Sequence, residues 1–307
     1  MEIHHTPVMV EEVLASLQTN PRGLYVDCTI GEGGHSLAIL EAMPESRLLG
    51  IDLDAQALKI VRQRLRKHID NVTLVHGNFA HLNTITRENR AVPANGIVFD
   101  LGLSSLQVDN GSRGFSFRKE ARLDMRFDQT QEITAHQIVN EYGEQSLADI
   151  IYRFGEEPKS RRLARAIVRS RPIETTIQLA NVVGQAMGKP PRGHIHPATR
   201  TFQAIRMAVN RELDNLGKSL EQAIRTLTTG GRMIVISYHS LEDRLVKGIV
   251  RRESSGCICP PEELQCVCNH TATICEINRR VIKPSESEVR ANPRSRSARM
   301  RVAERLT

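Results

Sequence analysis

The sequence predicts an α/β fold, a doubly wound parallel sheet interrupted by a helical insertion. Three observations carry that prediction. Short apolar runs alternate with amphipathic stretches through Leu101. A glycine-rich turn, Gly31 to Gly34, follows the first apolar run. The alternation then lapses and resumes only at Met233, beyond the turn residues Gly230 and Gly231. Strands separated by helices at this spacing form parallel sheets with right-handed crossovers.

The elements follow in order. Residues 7–17 place Val10, Val13, Leu14 and Leu17 at helical spacing. Residues 24–28 form a first strand, and residues 36–43 a helix. Residues 47–52 form a second strand, residues 55–68 a basic amphipathic helix, and residues 72–76 and 96–101 two further strands. From about 108 to 206 the pattern is helical, with stretches at 146–154, 159–170 and 176–187. A longer helix carries Asn210, Leu213, Leu216 and Leu220. A strand resumes at 233–237, a last one is expected near Val281, and the tail from Glu276 is basic. The expected organisation is therefore a first part of the sheet domain over 1–107, a helical insertion over 108–206, and the rest of the sheet domain with its basic tail over 207–307.

Composition limits the function classes. Of the 307 residues, 40% are hydrophobic and 25% charged, enough for a packed core. The net charge of +7 favours a polyanionic partner, although many small basic proteins have none. Residues 1–7 lack an apolar core, so no secretory signal is expected, and no run nears the roughly 20 apolar residues of a membrane span. A cytoplasmic protein with reduced thiols is expected, without a disulfide framework.

The turn at Gly31, Gly33 and Gly34 lets backbone N–H groups approach a ligand, with a helix N-terminus behind them. Asp52 ends the next strand about 20 residues on, where an acid binds the hydroxyls of a ribose. Together these point to an adenosine-containing cofactor. A dinucleotide fingerprint would place Gly or Ala where Ser36 stands, whereas S-adenosylmethionine has no pyrophosphate to cradle. Asp27 serves either the cofactor's ammonium end or the bracing of the loop. Phe79, in Gly77-Asn78-Phe79, flanks an adenine ring or packs in the core.

Over nearly its whole length the chain resembles the bacterial small-subunit ribosomal RNA cytosine-N4 methyltransferases, the RsmH or MraW family. The resemblance rests on His5-Thr6-Pro7-Val8, on Asp27-Cys28-Thr29-Ile30-Gly31-Glu32-Gly33-Gly34-His35-Ser36 and on Asp100-Leu101-Gly102-Leu103-Ser104-Ser105-Leu106-Gln107. It continues through Arg113-Gly114-Phe115-Ser116-Phe117, Leu123-Asp124-Met125-Arg126, the run from Phe202 to Leu213, and Ile236-Ser237-Tyr238-His239-Ser240-Leu241-Glu242-Asp243-Arg244. It implies a Rossmann-like S-adenosylmethionine-dependent methyltransferase with an inserted helical domain. It also implies cofactor contacts at Gly33, Gly34, His35, Asp52, Phe79, Asp100 and Gln107. The implied substrate is a cytidine in the decoding region of 16S ribosomal RNA, with 16S rRNA or the small ribosomal subunit as partner. Thr201 departs from the family, where an apolar residue is expected.

The chemistry fits Asp100 as the catalytic residue. The exocyclic amine of cytosine is a poor nucleophile, and acceptors on its N–H hydrogens take up the developing positive charge. DNA amino-methyltransferases carry a proline-proline-aromatic motif at this strand tip. This chain has Leu101-Gly102-Leu103-Ser104-Ser105, and no DNA partner is expected. Tyr238, Phe115 or Phe117 would stack the base, unless each serves packing. His239 is a general base or, as its position before Glu242 and Asp243 favours, a helix cap.

Two arginine-rich regions are candidates for phosphate contact. Arg162, Arg165 and Arg169 share one helical face, and Arg290, Arg294, Arg296, Arg299 and Arg301 follow in the tail. Cys257, Cys259, Cys266 and Cys268 form two close pairs that could bind zinc, but one residue separates each pair where the usual knuckle has two. A reduced thiol-rich loop is favoured, and no metal is assigned. Two rival functions remain: an RNA-binding assembly factor that uses the cofactor only as ligand, and a methyltransferase on a non-RNA acceptor.

Overall fold

The computed structural model describes residues 6–17, 20–104, 107, 111–188, 196–263 and 265–306. His5, Ser105, Leu106 and the expected boundary at 108 lie outside them. The chain folds into two compact units, one of Met1–Gly102 with Leu213–Thr307 and the other of Leu103–Glu212.

The first unit is built on a seven-stranded sheet: β1 (Leu24–Asp27), β2 (Arg47–Asp52), β3 (Val72–His76), β4 (Ala94–Asp100), β5 (Leu227–Ser237), β6 (Ile274–Glu276) and β7 (Arg299–Arg305). The strand order is β3-β2-β1-β4-β5-β7-β6. The first five strands run parallel, while β7 pairs antiparallel with both β5 and β6. Alternate side chains fill opposite faces, as a strand's period of two requires. Val26, Leu49, Ile97, Phe99 and Val235 join one buried cluster; Tyr25, Leu48, Val98, Ile234 and Ile236 join the other. Both faces are covered, which is why these strands read as continuous apolar runs.

Helices α1 (Val10–Ser16), α2 (Gly34–Ala42) and α3 (Ala55–Arg64) contribute Val13, Ile39, Leu40 and Val61 to the Tyr25 face. On the other face α4 (Leu82–Glu88) contributes Leu82 and Ile85. The basic helix expected to reach His68 stops at Arg64, and a 3₁₀ turn over Arg66–Asn71 completes the connection to β3. No helix among the described residues is long and apolar enough to cross a membrane.

The second unit is helical: α5 (Ala135–Glu141), α6 (Glu144–Gly155), α7 (Ser160–Arg169), α8 (Thr176–Met187) and α9 (Ala198–Asn210). Its core contains Ile138, Leu147, Ile151, Leu163, Ile167, Leu179, Val183, Phe202 and Ile205. Thr134 and Thr175 close capping boxes with Gln137 and Gln178, which fix the starts of α5 and α8. Thr201, the family departure, is fully buried in α9, and its hydroxyl has no partner among the described residues. The chain re-enters the sheet unit through α10 (Glu212–Thr226), which packs Leu216, Leu220, Ala223 and Ile224 against the Val26 face.

The tail differs most from the sequence expectation. The strand expected near Val281 is only a bridge between Ile282 and Met300; the pairing strands are β6 and β7 on either side of it. Arg299 and Arg301 lie on β7 and pair with Asp243 of α11 (Ser240–Glu253) at 3.2 and 2.7 Å. Arg301 is buried and also faces Glu276 at 3.5 Å. Although burial opposes it, these guanidiniums hold the Asp243 carboxyl below its ordinary range. Arg301 is thus a structural ion pair and not a phosphate contact.

Candidate active site

Three carboxylates stand at the carboxyl ends of adjacent parallel strands: Asp27 on β1, Asp52 on β2 and Asp100 on β4. The chain order reverses between β1 and β4, the switch point at which open α/β sheets bind ligands.

The turn after β1 is shaped by backbone constraint. Gly31 (φ +50) and Gly33 (φ +77) are left-handed, and Gly33 caps α2. The Gly31 N–H donates to Asp52 Oδ2 at 2.8 Å, and the Asp54 N–H donates to Oδ1 at 2.8 Å. Each oxygen keeps accepting capacity beyond that bond. Burial pushes the Asp52 carboxyl up to about 6 despite both bonds. Gly34 answers a different need: a Cβ there would stand 2.7 Å from the Pro7 Cβ.

Asp27 is sealed inside. Its carboxylate accepts from the Ser36 hydroxyl at 2.7 Å and from the Thr29 N–H at 3.2 Å, and burial raises its pKa. Ser36 therefore stands where a dinucleotide fingerprint has Gly or Ala because it anchors Asp27. The loop-bracing alternative describes Asp27.

Asp100 is held from three sides. Its backbone N–H donates to Thr29 Oγ1 at 2.6 Å, and its Oδ1 accepts from the Tyr238 hydroxyl at 2.8 Å. Its Oδ2 lies 3.7 Å from His35 Nδ1, and His35 Nε2 is 2.8 Å from the Val8 carbonyl oxygen. Burial, then the Asp100 charge, pushes the Tyr238 phenol well above its ordinary value, so it remains a donor. A Cβ at Gly102 would come within 2.8 Å of the Tyr238 ring. The glycine after β4 thus admits the tyrosine that orients Asp100.

Gly33, Gly34 and His35, at the start of α2, and Asp52 and Asp100, at strand ends, all belong to the sheet unit. Phe79 opens a short turn after β3 and packs edge-to-face on Phe99, with ring centroids 5.9 Å apart. Gln107 belongs to the helical unit, where its side-chain oxygen accepts the Ser104 N–H at 3.2 Å. Phe115 stacks on Phe127, and Phe117 meets Phe202 and His196, so both serve packing in that unit. His239 caps α11 and closes a capping box with Glu242. Thr29 and Tyr238 as partners of Asp100 escaped the sequence reading. The signal lies in the β4–β5 pairing, which sets Asp100 beside Ile236, two residues before Tyr238.

A left-handed glycine turn tied to Asp52 ahead of α2, an acid with spare acceptor capacity on β2, and an oriented carboxylate on β4 fit an adenosyl cofactor and an amine acceptor. The family model described as the MraW methylase family matches residues 2–306. The chain belongs to the MraW methylase family. Among its relatives is a ribosomal RNA small subunit methyltransferase H of Dehalococcoides mccartyi, strain 195, 54% identical over 306 residues. The match covers 99% of this chain and 87% of that one. Proteins of the same name from Thermomicrobium roseum and Brevibacillus brevis are 46% and 45% identical. Those matches cover 98% and 100% of this chain, and 94% and 99% of theirs. The chain is therefore an enzyme, a methyltransferase with a Rossmann-like sheet domain that uses S-adenosylmethionine.

The helical unit presents a second surface. Arg161, Arg162, Arg165 and Arg169 of α7, with Ala166 and Ala186, line an open cleft of about 290 Å³. Arg165 is 3.3 Å from Glu144; Arg161, Arg162 and Arg169 have no carboxylate partner among the described residues. The inward face of the same helix buries Leu163, Ala164 and Ile167, so the arginines are directed outward by amphipathicity.

Proposed function

We propose that this MraW-family chain methylates the exocyclic N4 of a cytidine in the decoding region of 16S ribosomal RNA, acting in the cytoplasm on the RNA or the small ribosomal subunit. The observation that carries this reading is Asp100, a carboxylate fixed at the switch point by Thr29 and Tyr238 with its Oδ2 left to accept. The names of the relatives supply the RNA class, and the family resemblance supplies the base and its position.

S-adenosylmethionine supplies an electrophilic methyl group on a sulfonium. Asp52 would accept from the ribose hydroxyls, and the Gly31–Gly33 turn would approach the cofactor through its backbone. His35, Phe79 and Gln107 are further contacts that the resemblance implies. Asp100 would accept an N–H of the cytosine amine, which returns lone-pair density to the nitrogen and gives its departing proton a destination. Holding the amine in line with the methyl group supplies most of the remaining acceleration. The arginine cleft would contact phosphates, each contact releasing counterions. A base in folded RNA would reach Asp100 extruded or single-stranded.

Nucleoside mass spectrometry of small-subunit RNA from cells lacking this chain tests the reading. N4-methylcytidine should be absent, restored by the wild-type chain and not by Asp100→Ala. Unchanged modification in the deficient cells would reject the substrate. Restoration by Asp100→Ala would remove Asp100 from the mechanism.

A further inference from the structure

Between the end of α11 at Glu253 and the start of β6 at Ile274, the chain makes an excursion with no helix or strand among its described residues. Its base is closed: the Thr273 N–H donates to the Glu253 carbonyl at 2.9 Å, and His270 Nε2 lies 3.1 Å from the Arg252 carbonyl oxygen. Beyond that base it has little core. Ile258 and Val267 are 42% and 69% exposed. Loops of this length without secondary structure are uncommon in compact domains. A segment too small to bury a core is held by a disulfide or a metal.

Its four cysteines converge. The sulfurs of Cys257, Cys259, Cys266 and Cys268 all lie within 4.8 Å of one another. Cys257 is 3.5 Å from Cys266 and 3.8 Å from Cys268, and Cys266 is 3.6 Å from Cys268. Each separation is far beyond the roughly 2.05 Å of a disulfide bond. The three separations among Cys257, Cys266 and Cys268 are close instead to the edge of a zinc tetrahedron, in which sulfurs about 2.3 Å from the ion stand about 3.8 Å apart, and the Cys259 sulfur lies within 4.8 Å of all three.

The backbone supports the same arrangement. The Ile258 N–H donates to Cys268 Sγ at 3.4 Å, and the Val267 N–H donates to Cys259 Sγ at 3.3 Å. The middle residue of each Cys-x-Cys pair thus donates to the second cysteine of the other pair. N–H groups aimed at sulfur stabilise thiolates, as outer partners do in metal sites. One intervening residue per pair, which argues against a knuckle from sequence, is accounted for by this reciprocal pairing.

We propose that Cys257, Cys259, Cys266 and Cys268 form a structural tetrathiolate site for a zinc-class divalent ion, which fixes the loop between α11 and β6. Four protein sulfurs leave no open position, so the ion is structural and takes no part in methyl transfer. Binding displaces the thiol protons and converts four thiols to thiolates. Soft sulfur ligands in tetrahedral array select zinc over magnesium or calcium.

The test uses the full chain, purified under reducing conditions without chelator after growth with zinc. Elemental analysis should give about one zinc per chain, and Cys266→Ser should lower it by at least roughly tenfold. Cys275→Ser, which alters a cysteine outside the cluster, should leave it unchanged. Metal-stripped wild-type chain titrated with cobalt(II) should show thiolate charge-transfer and tetrahedral visible bands, a readout that needs no variant to fold. Chelation should make residues 254–273 the first site of proteolysis, and zinc should restore protection. Three results would overturn the proposal. The first is negligible zinc together with no cobalt bands. The second is zinc unchanged when all four cysteines become serine. The third is four cysteines recovered as two disulfides from chain isolated with its thiols trapped.

Discussion

The acids of the sheet unit and the arginines of the helical unit are held in opposite ways. Asp27, Asp52 and Asp100 sit at strand ends where each carboxylate takes two neighbours or more, from Ser36 and Thr29, from Gly31 and Asp54, or from Tyr238 beside His35. Arg161, Arg162 and Arg169 project from α7 with no carboxylate partner among the described residues. The first arrangement fixes atoms in advance, as a reaction needs. The second offers adaptable charge, which suits a phosphate backbone that carries no sequence information. Substitutions in the two regions should therefore fail differently: strand-end changes should alter turnover or cofactor affinity, and helix changes should alter RNA affinity and its salt dependence.

The largest expected effect is at Asp100. Asp100→Ala should lower kcat by about 10²–10³-fold while RNA binding persists, read by single-turnover methyl transfer and filter binding. A parallel loss of RNA affinity would erase the contrast between the regions.

Asp52 comes next. Asp52→Ala should weaken S-adenosylmethionine binding by about 10–100-fold, the scale of hydrogen bonds to a charged group, measured by calorimetry. The pH dependence sharpens this. Burial raises the Asp52 carboxyl to about 6, so protons compete with the ribose as pH falls through that value. Affinity should be level above pH 7 and about tenfold weaker near pH 5. Asp52→Asn should lack that added loss, and an identical profile in the two proteins would remove Asp52 from the ribose.

A smaller effect is expected on the helix. Replacing Arg162, Arg165 and Arg169 with Ala should weaken RNA binding by about three- to tenfold and reduce the salt slope by about one for each phosphate no longer neutralised. Cofactor affinity should not move. The smallest effect is at Thr201, whose buried hydroxyl lacks a partner among the described residues. Thr201→Val should gain up to about 1 kcal/mol of stability in a denaturant melt; a clear loss would reveal a partner.

The sheet edge was legible because its constraints are local. A strand, then a turn that needs glycine at Gly31 and Gly33, then an acid at the tip of the next strand are all set by backbone geometry. The helices of the second unit were legible through their 3.6-residue period, and α8 matches residues 176–187 to the residue. What escaped depends on which strands become neighbours. Tyr238 reaches Asp100 only because β5 lies beside β4, 138 positions away in sequence. Arg301 reads as a basic tail until β7 turns back along β5 and sets it against Asp243. The Cys-x-Cys pairs were visible, but their reciprocal N–H bonds were not, since those arise from the fold of the loop.

The most direct test of the central claim is methyl transfer from radiolabelled S-adenosylmethionine by purified chain. Unmodified small-subunit RNA would be offered naked and as assembled subunits, with the labelled nucleoside identified. Label in N4-methylcytidine in either form, lost with Asp100→Ala, is the predicted result. No label in either form from a chain that still binds the cofactor, or label in another nucleoside, would contradict it.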